Sequence, residues 1–383
     1  MLGQRPSPYK TVQSFGHGSI NHGYHPNKNC SLIRWNRNSD FTWHGQDNFF
    51  VDNEPYDGAL INTVLYGGGA KWNRGSYFDN GFGYMAPFSS TAILRVNTDT
   101  LSYTEIGSFS GINKCAGMIA APNRKLYCIP YSYAGFIVLC PDENERMYVI
   151  TTEANLLYSE GVVASNGLLY TAMAGGYTIG VIDTKNDSFR QILLSSTVTF
   201  NFQTCALYED IIYYIPSHGG TPSFFNNRIL MMDIHTEAFD FVGPDIPNGY
   251  TYLGTKVGVD GRIYSAPYSG TNNLLEFNPR TQEINYYDVG TSGFNGMVLS
   301  GDGDLVLIPH LNTCANVVKF NTRTKTYTTT AWTAENAGYG GGFLAENGTI
   351  FGTALNATRR FEFNSPRKNK LLDIDFVIHK QTR

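Results

Sequence analysis

Charge is scarce in this chain. Asp, Glu, Lys and Arg make up 16% of its 383 residues, against about a quarter in ordinary soluble domains. The net charge of −4 offers no basic field that would draw the whole protein to nucleic acid or to an anionic membrane. Long apolar runs are missing as well: Ala134–Cys140 is about the longest, far short of a membrane span. The opening residues, Met1 to Pro8, lack the apolar core of a secretion signal, so the expected location is a virion, with the cytoplasm as alternative. Six cysteines (Cys30, Cys115, Cys128, Cys140, Cys205 and Cys314) include no Cys-x-x-Cys pair or other metal spacing. Most fall in segments that read as strands, where a thiol serves as a small hydrophobe. Cys128 and Cys140, on adjacent strands of one unit, are the pair placed to approach as a disulfide.

Aromatic residues and glycine take up the space that charge leaves. The 25 Tyr, 24 Phe and 40 Gly suit sheets and durable contact surfaces. Their placement is periodic, and self-similarity at a fixed period identifies a repeat architecture. A tyrosine-proline element recurs as Gly83–Pro87, Leu126–Pro130, Leu169–Met173, Tyr213–Pro216, Ile263–Pro267, Val306–Pro309 and Ile350–Ala354. The last residues of successive copies step by 43, 43, 43, 51, 42 and 45. Before each element comes a short strand with small residues, such as Cys115-Ala116-Gly117 or Gly340-Gly341-Gly342. The linking turns carry Asn166-Gly167, Asp260-Gly261, Asp302-Gly303 and Asn347-Gly348, the dipeptides of type I′ hairpins. A third strand ends in Asn or Asp, as at Asn97, Asp183, Asn278 and Asn321, and a more polar fourth strand closes the unit.

Four antiparallel strands repeated at about 43 residues are the pattern of a propeller blade. The expected fold is therefore all-β, a β-propeller of seven four-stranded blades over residues 66–375, with eight blades as the alternative. Residues 1–30 read as an extended arm. Residues 31–65, with Leu32–Asn36 and Asp40–Trp43 resembling third and fourth strands, read as a clasp or half-blade, and 376–383 as a tail.

Few residues offer chemistry. His17, His22, His25 and Cys30 in the arm lack the paired spacing of structural zinc sites, so neither metal nor cofactor is expected. Glycoside hydrolysis needs two carboxylates a few ångströms apart. The inner-strand position carries Ala116, Glu160, Gln203, Gly254, Asn295 and Gly340, of which only Glu160 is acidic. Asp302 and Asp304 are accounted for by hairpin geometry. His218 and His310 follow the proline position in two units and fall on one face, as satisfied surface residues without an orienting acid. The long fourth interval holds the enlarged loop 217–227. On a rigid ring, a projecting loop is where binding is placed, which makes His218, Phe224, Phe225 and Asn226 the candidate binding residues.

The repeat resembles a diffuse family of propeller proteins with an x-Gly-x-[Ile/Leu]-Tyr-x-[Ile/Ala]-Pro element, and its period is similar to that of kelch repeats. It departs from kelch in its irregular double glycines, at Gly67-Gly68 and Gly340-Gly341, and from WD40 blades in lacking their Trp-Asp ending. The resemblance supports a fold and assigns no functional residue. The composition resembles that of phage or virus particle proteins. The leading expectation is a non-enzymatic structural and binding component of a tail or capsid decoration, its partners being other particle proteins, engaged partly through the arm, and a host-surface glycan or protein. The alternative is a carbohydrate-active hydrolase or lyase with Glu160, His218 and His310 at the channel mouth. A cytoplasmic adaptor is the third reading.

Overall fold

The computed structural model describes residues 71–152, 156–195, 200–217, 227–310, 314, 316–331, 338–355 and 361–364. They form an all-β, seven-bladed propeller of antiparallel sheets, without a helix among the described residues. Blades 1 to 6 span Trp72–Ile106, Cys115–Thr151, Tyr158–Leu193, Thr204–Val242, Thr251–Asp288 and Phe294–Ala331. Blade 7 contributes three described strands, Tyr339–Leu344, Thr349–Ala354 and Phe361–Asn364. The strands of each blade follow chain order from channel to rim, and a short strand, Phe200–Phe202, adds to the far end of Leu168–Gly176 in blade 3.

Position in the blade decides composition. The middle strands are packed on both faces by neighbouring blades, so Leu126–Pro130 and Gly135–Cys140 are buried throughout. At the rim, Thr326–Ala331 is mostly exposed and turns polar. Each inner strand lies beside the next, and Tyr339–Leu344 lies beside Trp72–Phe78, so the ring closes at seven. Lys71 N–H donates to Leu355 O (2.7 Å), and Phe343 of blade 7 lies against Gly75 and Gly83 of blade 1. This direct seam leaves no place in the ring for the alternative eighth blade. The arm, the segment 31–65 and the tail lie outside the described residues.

The recurrent tyrosine is a fastener between blades. Tyr127 Oη donates to Asp187 Oδ1 of the next blade (2.6 Å), Tyr84 Oη to Glu145 Oε1 (3.4 Å), and Tyr264 Oη meets Lys325. Glu145, Asp187 and Lys325 hold positive φ of 55°, 60° and 60°, at corresponding places in the turn between third and fourth strands. That left-handed residue aims its side chain back at the preceding blade. The Asn or Asp that ends each third strand caps the same turn: Asn97 Oδ1 accepts from Asp99 N and Thr100 N, and Asn321 Oδ1 from Arg323 N and Thr324 N.

Two local expectations are corrected. The Asn-Gly and Asp-Gly turns are not type I′, because only the glycine has positive φ. Gly167 N–H donates to Ala164 O and Ala164 N–H to Leu168 O, which is a three-residue loop with the glycine as its left-handed bulge. Asn166 Oδ1 accepts from Leu168 N (3.0 Å), which explains the Asn. Cys128 stands opposite Ile137 in the register, with Cys140 three residues further along that strand. Its sulfur neighbour is Cys115, across the inner strand, and all five described cysteines are buried free thiols.

Hairpin geometry does not exhaust the Asp302-Gly303-Asp304 turn either. Lys319 pairs with Asp302 and, at 3.3 Å, with Asp304. Burial and then the Asp302 charge outweigh that pairing and push the Asp304 carboxyl up to about 6. An acid whose folded pKa is raised binds its proton more tightly in the native state. Its contribution to stability is therefore present below about pH 4 and lost as pH rises through 6. Asp304→Asn is expected to gain about 1–2 kcal/mol over the parent at pH 7.5 and little at pH 4.5, as measured by urea denaturation at both pH values.

Candidate functional site at the channel mouth

The strand register puts the two described candidate residues, Glu160 and His310, towards one end of the ring. The start of each inner strand pairs with the end of the second strand, as in Trp72↔Pro87, Cys115↔Pro130, Tyr252↔Pro267, Phe294↔Pro309 and Tyr339↔Ala354. Loops leaving the second strands thus open on the face where the inner strands begin, called the mouth face below. The Asn-Gly and Asp-Gly hairpins lie on the opposite face.

The two residues that flank the enlarged loop, Ser217 and Asn227, lie on the mouth face. Ser217 N–H donates to Asn201 O (2.8 Å) and Ser217 bridges to Thr251. Asn227 Nδ2 donates to Asn248 Oδ1 (2.5 Å), and Asn227 O accepts from Ile246 N (2.8 Å). His218, Phe224, Phe225 and Asn226 lie outside the described residues.

Inside the mouth, several inner strands bulge at the same level, with register shifts at Asn73/Gly75, Cys115/Gly117, Leu253/Thr255, Phe294/Met297 and Tyr339/Gly342. Glycine fills three of these bulges at positive φ: Gly254 (66°), Gly296 (154°) and Gly341 (104°). In blade 1 the bulge carries Arg74, at φ 33°, a conformation costing a non-glycine residue about 1–3 kcal/mol. Such strain clusters at functional sites.

Arg74 lies in the channel and is 9% exposed. Its Nη1 donates to Ser159 Oγ (3.0 Å), Ser159 O (3.3 Å) and Ala116 O (3.4 Å), and its Nη2 to Asn295 Oδ1 (3.4 Å). It thereby reaches blades 2, 3 and 6 from blade 1, and it also lines Gly117 and Gly341. All these acceptors are neutral. Arg74 Nε and the neighbouring Asn73 Oδ1 are buried without a partner.

Glu160 is half-buried and tied to blade 4, accepting from Thr204 Oγ1 at 2.5 Å. Thr204 Oγ1 in turn accepts from Thr255 N (2.7 Å) and lies 2.9 Å from Thr255 Oγ1, which lies 3.0 Å from Ser265 Oγ. The partner of Glu160 is thus Thr204, the first residue of the blade 4 inner strand. Cys205 beside them is pushed up by burial first; Glu160 raises it further, while Lys256 and Arg74 pull it down. Both signs of charge therefore act in this part of the channel.

His310 sits on the mouth face as expected but is buried, not a surface residue. Its Nδ1 is 3.0 Å from Tyr339 O and its ring is 5.7 Å from that of Tyr268. Burial lowers its pKa first, the Tyr339 carbonyl opposes this, and the Arg74 charge lowers it further. The imidazole is held neutral against a backbone carbonyl. Among the described residues no three His, Cys, Asp or Glu side chains gather as a metal site. Arg74 escaped the sequence reading, although Arg74-Gly75 continues the series Ala116-Gly117, Glu160-Gly161 and Asn295-Gly296.

No family model matches the chain, and no curated protein matches it. Solved structures do share the fold. A streptogramin B lyase superposes with a TM-score of 0.67 at 13% identity, over 80% of this chain and 97% of its own. Hydrazine synthase of Kuenenia stuttgartiensis gives 0.61 at 12%, over 79% and 98%. An extracellular domain from B. thetaiotaomicron gives 0.60 at 13%, over 80% of this chain and 42% of the other. Identities this low establish the propeller and nothing about activity, and the three neighbours differ widely in what they are named for.

Proposed function

We propose that this chain is a non-enzymatic binding propeller of a phage or virus particle, in the tail or as a capsid decoration, presenting its mouth face to neighbouring subunits or a host surface. The observation that carries this reading is how the mouth uses its charged groups. The seven described inner strands bring one carboxylate to the channel, Glu160, and bind it to Thr204, while His310 is turned onto Tyr339 O. Glycoside hydrolysis requires two working carboxylates. The same face carries the anchored ends of the enlarged loop, and loops on rigid scaffolds are where binding is placed. The charge-poor composition rich in Tyr and Gly suits lasting contact surfaces. The arm at residues 1–30 is assigned to subunit contacts, and the period keeps its likeness to kelch repeats.

Quantitative mass spectrometry of particles purified from the source tests this. Peptides of this chain in fixed ratio to the major capsid protein are expected. Their recovery only in the soluble, particle-free fraction would contradict the proposal. Turnover of a glycan substrate that disappears in Glu160→Gln would favour the enzymatic reading instead.

A further inference from the structure

Arg74 is a buried cation whose best hydrogen-bonding edge is unused. A guanidinium has five N–H donors, and its Nε and Nη2 form the side-on edge that matches the two oxygens of a carboxylate. Here Nη1 takes Ser159 and Ala116, Nη2 has only the 3.4 Å contact to Asn295, and Nε has nothing. Among the described residues no carboxylate pairs with this guanidinium. An isolated buried charge is unfavourable unless something neutralises it. The backbone is also strained at this residue, at φ 33°, where three other blades use glycine. A side chain that served only to fill the channel would not need a charge.

We propose that the channel mouth binds a small carboxylate, held side-on by Nε and Nη2 of Arg74, with the long Asn295 contact giving way to one carboxylate oxygen. Gly254, Gly296 and Gly341 bring the backbones of blades 5, 6 and 7 close together beside the Arg74 stem. The small anion sits within the ring, independently of any particle partner, so this site stands even if the virion reading fails.

Thermal unfolding of the full chain tests the proposal, with sodium acetate, inorganic phosphate and sodium chloride as probes at matched ionic strength. Acetate is expected to raise the Tm saturably, by roughly 2–3 °C at ten times its dissociation constant, with phosphate and chloride flat. Arg74→Gln is expected to abolish the response. Because that variant removes a side chain contacting several blades, Asn295→Asp provides a second arm. It places a built-in carboxylate beside Nη2, and is expected to raise the Tm in chloride and to remove the acetate effect. An acetate response that survives in either variant, an equal response to phosphate or chloride, or no response to acetate would overturn the assignment.

Discussion

Replacing Gly254 by alanine is expected to cost about 3–5 kcal/mol of stability. Gly254 lies on the inner strand of blade 5 at φ 66°, where an L-residue with a Cβ is destabilised by about 1–2 kcal/mol. The added Cβ would also press deep inside van der Waals distance of Gly296 Cα, with Gly296 C and Met297 N close behind. Those are backbone atoms of blade 6, so no side chain can swing away, and overpacking of this kind costs about 1–3 kcal/mol or more. Gly81→Ala is the matched control. Gly81 has φ 84° and open space around its Cβ position, so only the conformational cost of about 1–2 kcal/mol applies. Guanidinium denaturation of both variants separates the terms, and equal losses would mean that the blades do not approach as described.

Removal of Glu276 should be as damaging, for an electrostatic reason. Its side chain is 2% exposed and accepts from Tyr264 Oη (2.8 Å) and Asn285 Nδ2 (3.1 Å). It pairs with Arg262 (3.3 Å) of its own blade and with Lys325 of blade 6. Taking one member out of a buried ionic cluster costs about 3–5 kcal/mol, because the remaining charges stay buried with fewer partners. Asp260 still pairs with Lys325 at 2.8 Å, which places Glu276→Ala at the lower end of that range. Although burial alone would raise the Glu276 carboxyl, Lys325, Tyr264 and Asn285 together hold it below the usual value. A depressed folded pKa contributes stability above the unfolded value of about 4.3, and loses it as pH falls through the folded pKa. The isosteric Glu276→Gln should therefore differ most from the parent at pH 7 and converge with it towards pH 3. A difference independent of pH would mean that the charge is not what holds this seam.

Much of this ring could be read from the chain because seven copies of one solution repeat the same physical need. Tyr84, Tyr127, Tyr170 and Tyr264 recur since each must reach the next blade, and a terminal proline is tolerated where the second strand leaves the ladder. What escaped depends on register, which a linear pattern does not carry. Asn-Gly serves both a two-residue and a three-residue hairpin, and only the pairing of Ala164 with Leu168 tells them apart. The bulge between Cys115 and Gly117 slides the inner strand, bringing Cys115 rather than Cys140 to Cys128. Asp304 looked like turn chemistry because its burial, which with the Asp302 charge outweighs the pairing with Lys319, is not visible in a linear pattern. Arg74 was hidden because small residues marked the inner strands elsewhere, and a bulge admits one large exception. The candidate loop residues His218, Phe224, Phe225 and Asn226 rest on loop length and composition, and on the anchoring of Ser217 and Asn227 beside them.

The central claim is that the mouth face is the face this protein uses. Site-specific photo-crosslinking in assembled particles addresses it most directly, with a benzophenone amino acid at Asn227 on the mouth face or at Asn186 in a turn on the opposite face. Crosslinks to a neighbouring particle protein or host receptor from position 227, and not from 186, are the predicted result. Crosslinks from 186 alone, or from both positions equally, would contradict it.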